Sequence, residues 1–306
     1  MKTLRMKFLL LVIGIPFIIL VGTNVANMFI SINDEIEQME SKQLLNSEKV
    51  EEKVYGYLME KGRMIKDVAL NQSTIDFINN VNTRNEKKAL SIPSAKPFKK
   101  TLERYLNTDK DVQLLYAGSP RTDLAYAHFI LNVPEDYEAT KRLWYIGAKE
   151  KDGLHFTEPY IDEGSTTGLV VSASYPIKTL EGEFLGVTGM DMTIDFVRDY
   201  FSTYKIGKTG YLFLVAESGN IVVHPNEDYT SENTKITELE GDMGNIGNSM
   251  MENETGVKRI TQGGREKLII YRPIGDIGWK MGLVMDLETE LREPMFNIII
   301  SILIRI

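Results

Sequence analysis

The chain opens on an apolar run. From Phe8 to Ile30 it reads FLLLVIGIPFIILVGTNVANMFI without a charge. A bilayer is crossed by roughly 20 such residues in a helix that satisfies its own backbone hydrogen bonds. Pro16 and the polar Thr23, Asn24 and Asn27 interrupt the run without breaking it. From Asp34 to about Asn80 the pattern becomes helical, with Ile36, Met39, Gln43, Val50, Val54, Leu58, Ile65 and Val68 on one stripe. Gly56 and Gly62 are the only glycines in it. At about 1.5 Å per residue, this helix is long enough to leave the membrane and follow the whole body. Long stalks of this kind pair with a second copy of themselves, so a homodimer through the long helix is expected.

After a polar stretch from Asn79 to Pro97 the signals turn to short strands with turns. Val112–Ala117, Leu124–Leu131, Leu154–Tyr160, Leu169–Ile177 and Phe184–Met192 read as strands. Glu135–Lys149 reads as a helix among them, and Ile194–Tyr204 as a helix after them. A second set repeats the order: Tyr211–Ala216, Ile221–His224, Val257–Thr261, Lys267–Tyr271 and Trp279–Met285, with a helix over Lys235–Glu252. Neither set has the long crossovers of a parallel sheet. The expected fold class is therefore α+β, two antiparallel sheets in tandem hung on one long helix. After Glu293-Pro294 comes the run MFNIIISILIRI, in which Ile298–Ile300 and Ile302–Ile304 are apolar all round the helix. It reads as the start of a second transmembrane helix, too short to cross. The expected division is 1–32 for the cytoplasmic start and membrane helix, 33–80 for the stalk and 81–204 for a membrane-distal module. A membrane-proximal module follows over 205–290, and 291–306 begins the second membrane helix.

Charge orients this picture. All 43 Asp and Glu lie between Asp34 and Glu293, whereas Lys2, Arg5 and Lys7 precede the apolar run. Basic residues stay in the cytoplasm, so the body is expected outside the cell membrane. A cleaved signal peptide begins in the same way, but Asn24 and Ala26 make a poor cleavage pair. The formal charge of −8 argues against nucleic acid as a partner. With no Cys there is no disulfide, thiolate nucleophile or Cys-ligated zinc. His128, His155 and His224 are far apart and lack metal spacing. No cofactor is expected. No phosphate loop or nucleophile elbow occurs, and the chain is read as a binding protein rather than an enzyme.

One segment concentrates chemistry. YEATKRLWY puts Tyr137, Arg142, Trp144 and Tyr145 into nine residues. If the helix runs through, Tyr137 and Trp144 share a stripe. A guanidinium matches a carboxylate with two parallel donors. Downstream, Tyr160 and Asp162 end one strand and Asp191 ends another. One cationic end, one anionic end and aromatic walls between them describe a pocket for a zwitterion. The same residue types also occur as ordinary core aromatics with an internal ion pair.

The body as a whole resembles a double Cache domain, the extracellular sensor of bacterial chemoreceptors and other transmembrane receptors. GVTGMDMTIDF (Gly186 to Phe196) is similar to the closing strand and helix of its first module. KTGYLFLVAESGNIVVHP (Lys208 to Pro225) is similar to the opening of its second. The resemblance implies two PAS-like modules, the distal one binding the ligand. The series Tyr137, Arg142, Trp144, Tyr145, Tyr160, Asp162 and Asp191 is similar to the amino-acid-binding signature of one branch. It implies that Tyr137, Arg142 and Trp144 hold the carboxylate of an α-amino acid. Tyr145, Asp162 and Asp191 would hold its ammonium, with Tyr160 lining that end. The proximal module is then a spacer and transmitter, passing a shift through Phe201–Gly210 to the helix Leu287–Ile306. A tethered binding protein, or the sensor of a histidine kinase or diguanylate cyclase with a different ligand, is the alternative.

Overall fold

The computed structural model describes residues 6, 8, 10–161, 169–230, 234–252 and 255–305. Helix α1 runs without a break from Ile15 to Leu70. Its apolar N-terminal part is exposed among the described residues: Phe17, Ile18, Ile19 and Phe29 are all more than half exposed. Thr23 and Asn24 both turn their side chains back to the Leu20 carbonyl, at 2.9 Å each. Their polar groups are thereby satisfied within the helix. Farther along, Val50, Val54, Leu58, Ile65 and Val68 are fully buried, as their spacing requires. The expected stalk to Asn80 is interrupted at Asn71, whose backbone is extended. The Asn71 carboxamide accepts the Ser73 N–H at 3.1 Å and starts a new helix, α2 (Gln72–Asn80).

Helices α3 (Glu86–Ala89) and α4 (Ala95–Leu106) lead into the distal sheet. Its strands are β1 (Val112–Ser119), β2 (Leu124–Tyr126), β3 (His155–Phe156), β4 (Tyr160–Ile161), β5 (Leu169–Lys178) and β6 (Phe184–Met192). The order is β2-β1-β6-β5, with both β3 and β4 paired to β5, and every ladder is antiparallel. Strand alternation sorts the side chains onto two faces. Leu115, Ala117, Val171, Ala173, Met190 and Met192 face the core shared with α1, α2 and α4. Tyr116 and Val187 pack with helix α5 (Leu143–Lys151) on the other face, to which alternation along β6 also assigns Asp191. Gly62 lets α1 approach this module closely, since a Cβ there would lie 2.4 Å from Leu154 Cδ2.

Helix α6 (Asp195–Thr203) and a short link reach the proximal sheet: β7 (Tyr211–Val215), β8 (Ile221–Val223), β9 (Gly256–Gln262), β10 (Arg265–Pro273) and β11 (Lys280–Asp286). Its order is β8-β7-β11-β10-β9, again antiparallel throughout. One face packs on helix α7 (Asp242–Glu252) and the other on α1. Helix α8 (Leu287–Arg305) returns alongside α1. The link is fastened to it, because Lys208 pairs with Glu293 at 2.8 Å.

Other expected elements differ as well, and Leu154–Tyr160 is not one strand but the short strands β3 and β4. Glu135–Lys149 is not one helix but a 3-10 turn at Ala139–Lys141 followed by α5. Arg142 between them is extended, with ψ 145. Tyr137 and Trp144 therefore share no helical stripe. Lys235–Glu252 is likewise a turn at Ile236–Glu238 and then α7, separated by Gly241 at φ +69. The strand expected over Leu124–Leu131 stops at Tyr126. The Glu86 carboxylate then takes the N–H groups of Leu131 and Asn132, at 2.6 and 3.2 Å.

Candidate functional site

Asp191 is 4% exposed, near the end of the central strand β6. A carboxylate buried this far is costly without partners. Three hydroxyls converge on its Oδ1. Ser172 Oγ donates at 2.5 Å, Tyr116 OH at 2.8 Å and Tyr160 OH at 3.5 Å. The ladder brings them there: Ser172 on β5 stands directly opposite Asp191, and Tyr116 on β1 lies opposite Gly189. Tyr160 OH also lies 2.7 Å from Ser172 Oγ. Burial and the Asp191 charge push the Tyr116 phenol well above its ordinary pKa, so it keeps its proton for that bond.

Gly189 makes this possible. A Cβ there would sit 2.2 Å from Tyr116 Cε2. Gly189→Ala should push the Tyr116 ring off the sheet and uncouple it from Asp191. We expect about 1–3 kcal/mol of lost stability from overpacking, together with weakened ligand binding. Thermal melting and calorimetry on the same variant would check both, and a variant with the melting temperature of the wild type would contradict the packing.

Arg142 caps the N-terminus of α5 and is half buried. Its guanidinium carbon lies 5.6 Å from the Tyr137 ring centroid, within cation–π range. Trp144, two residues on, is buried edge-on against Tyr116, with centroids 4.8 Å apart at 74°. Arg142, Trp144 and Tyr160 line one cleft of about 170 Å³, with Lys141 and Leu143 at its edge. Arg142, Trp144 and Tyr160 thus meet at the cleft, Tyr137 lies beside Arg142, and the Asp191 carboxylate is within 3.5 Å of the Tyr160 hydroxyl. Asp162 lies outside the described residues.

Tyr145 is buried beside Trp144. Its ring lies 5.5 Å from that of Trp144, at 69°, and both rings pack over Gly118. The Tyr145 ring packs over Gly118 and against Phe184, 6.2 Å away. Gly118 pairs with Val187, about 13 Å along β6 from Asp191 at 3.3 Å per residue. Burial, and then the charge of Asp123 rather than Asp191, raises the Tyr145 pKa. Its hydroxyl has no hydrogen-bond partner among the described residues.

Three contributors carry no local signal in the sequence. Tyr116 and Ser172 become visible only once the register of β1, β5 and β6 is known. Arg84 is the third. Its guanidinium donates to the carbonyls of Thr122, Asp123, Glu135 and Tyr137, at 3.1, 3.0, 3.3 and 2.7 Å. It thereby ties down the loop that delivers Tyr137.

The profile of the Cache domain matches residues 28–295. This chain belongs to the Cache domain family. Among curated relatives, the methyl-accepting chemotaxis protein McpA of Pseudomonas putida is 28% identical over 158 residues, covering 50% of this chain and 23% of the relative. This Cache chain matches only about a quarter of the length of such relatives, 23% for McpA and 27% for PscA of Pseudomonas syringae pv. tomato. Among solved structures, the ligand-binding domain of the Pseudomonas fluorescens chemoreceptor CtaA in complex with L-leucine superposes with a TM-score of 0.62 at 21% identity. It covers 85% of this chain and 99% of that one. At that identity the likeness is one of fold: a long helix carrying two antiparallel sheets, the double Cache arrangement.

Proposed function

We propose that this chain is the sensing region of a bacterial chemotaxis receptor, anchored in the cell membrane with its body outside, and that its distal module binds an α-amino acid. The observation that carries the reading is the cleft lined by the Arg142 guanidinium, the Trp144 indole and Tyr160, whose hydroxyl lies 3.5 Å from the buried Asp191 carboxylate. Arg142, with Tyr137 and Trp144, takes the ligand carboxylate. Asp191, with Tyr160 and Asp162, takes the ammonium. Tyr145 backs Trp144 rather than touching the ammonium. The ligands named for the CtaA complexes support this reading, since L-leucine, L-alanine and L-serine share only the zwitterionic end. The role is binding rather than catalysis. Screening the chain by thermal shift against the proteinogenic amino acids tests it, because ligands that bind only the folded state raise the melting temperature. No rise with any of them would overturn the amino-acid assignment.

Binding transmits by favouring one arrangement of α1 against α8. A second copy pairs along α1 in this reading, and Phe201–Gly210 carries the shift toward α8. The membrane topology makes its own prediction. Protease added outside intact cells should remove the body and leave the Phe8–Ile30 span. A body protected until the membrane is opened would contradict the orientation.

A further inference from the structure

The edge of the distal sheet beside the cleft carries a bulge. His155 pairs with Ser174 and Phe156 with Ala173. Thr157 continues that register: its N–H donates to the Ser172 carbonyl and its Oγ1 accepts the Ser172 N–H, both at 2.9 Å. Pairing resumes with Tyr160 opposite Val170 and Ile161 opposite Leu169. Glu158 and Pro159 together therefore oppose the single residue Val171. Pro159, which has no N–H to contribute to a ladder, suits that place. One extra residue inverts the alternation of everything after it. In unbroken register Pro159 would stand opposite Val170, and Tyr160 would turn to the face away from Ser172. With the bulge, Tyr160 reaches Ser172 and Asp191.

The same bulge sends Glu158 to the other module. Its Oε1 accepts the Ser218 N–H at 2.8 Å, and its Oε2 accepts Ser218 Oγ at 2.7 Å and Asn220 Nδ2 at 3.0 Å. Three donors on one ionised carboxylate make a strong contact. They belong to the turn between β7 and β8, which is itself held from behind. Ile236 N–H donates to the Gly219 carbonyl and Ile221 N–H to the Thr234 carbonyl, both at 2.9 Å.

We propose that Glu158 is a positioning residue for the ligand site: the β7–β8 turn of the proximal module, by holding Glu158, fixes where Tyr160 stands over Asp191. This rests on Tyr160 and Asp191 forming the ammonium end. Linkage is reciprocal, so an occupied site must act on the turn as strongly as the turn acts on the site.

The test uses the full chain in detergent and three variants: Glu158→Ala, the double variant Ser218→Ala/Asn220→Ala, and all three changes together. The probe is whichever proteinogenic L-amino acid raises the wild-type melting temperature most. Calorimetric titration should show affinity about tenfold weaker in Glu158→Ala and in the double variant, although the latter lies in the other module. The combined variant should lose no more than either, because contacting groups are not additive. Bound amino acid should slow amide exchange at 216–222 in the wild type and not in Glu158→Ala. Affinity within about twofold of wild type in Glu158→Ala, or losses that add, would overturn the proposal. A ligand-free arm stands apart from the amino-acid reading. Tyr160→Ala should change exchange at 216–222 when Glu158 is present and leave it unchanged in a Glu158→Ala background. If no amino acid binds the wild type, the ligand assignment fails, and this arm alone decides whether the turn and Tyr160 are coupled. An unchanged turn in Tyr160→Ala would overturn the coupling.

Discussion

Arg142→Ala should weaken amino-acid binding by at least about a hundredfold, or ~2.7 kcal/mol, while the chain melts within a few degrees of wild type. The size follows from removing the charged partner of a ligand carboxylate in a partly desolvated cleft, typically about 2–5 kcal/mol. The small effect on folding follows from position. Arg142 is half buried and extended at the first turn of α5, and it stacks on Tyr137 rather than filling the core. Arg142→Lys should fail nearly as badly, because an ammonium is a point charge and reproduces neither the two-pronged donor set nor the stacking on Tyr137. Titration of the three proteins with one amino acid checks this. Wild-type affinity in Arg142→Lys would mean that Arg142 only props up the loop.

Asp191→Asn should cost at least about 2 kcal/mol of binding, roughly thirtyfold. The carboxamide keeps the shape and can still accept from Ser172 and Tyr116, which bond Oδ1 now at 2.5 and 2.8 Å. What disappears is the negative charge facing the ligand ammonium. The variant should also discriminate less between an amino acid and the 2-hydroxy acid of the same shape, since a neutral carboxamide gains less from an ammonium than a carboxylate does. Normal amino-acid binding by Asp191→Asn would remove Asp191 from the site.

Much of the scaffold was legible because burial imposes a period. The stripe from Val50 to Val68 on α1 and the alternation along β5 and β6 are direct consequences of facing a core. Lys61 breaks that rule. It is 3% exposed on the buried side of α1, paired with Asp109 and Asp111 and standing 4.6 Å over the Tyr57 ring. Nothing in the local pattern announces those partners, nearly fifty residues away. The same distance problem explains the helix that was not formed over Glu135–Lys149. The turn at Ala139–Lys141 is held by Asp123, whose carboxylate takes both the N–H and the hydroxyl of Thr140 at 2.8 Å. A side chain from another strand edge overrides the periodicity of YEATKRLWY. Arg142 and Asp191 were readable as opposite charges in an aromatic setting. Tyr116 and Ser172 were not, because their part depends on the register of three strands. Of the two neighbouring aromatics, Trp144 lines the cleft, while the Tyr145 ring packs between Trp144 and Phe184.

Titrating the wild-type chain with an L-amino acid, its 2-hydroxy analogue and its decarboxylated amine tests the zwitterion site most directly. The account predicts measurable binding of the amino acid and affinities at least about thirtyfold weaker for both analogues, since each lacks one of the two charges that the site is proposed to read. Equal affinity for the amino acid and either analogue would contradict it.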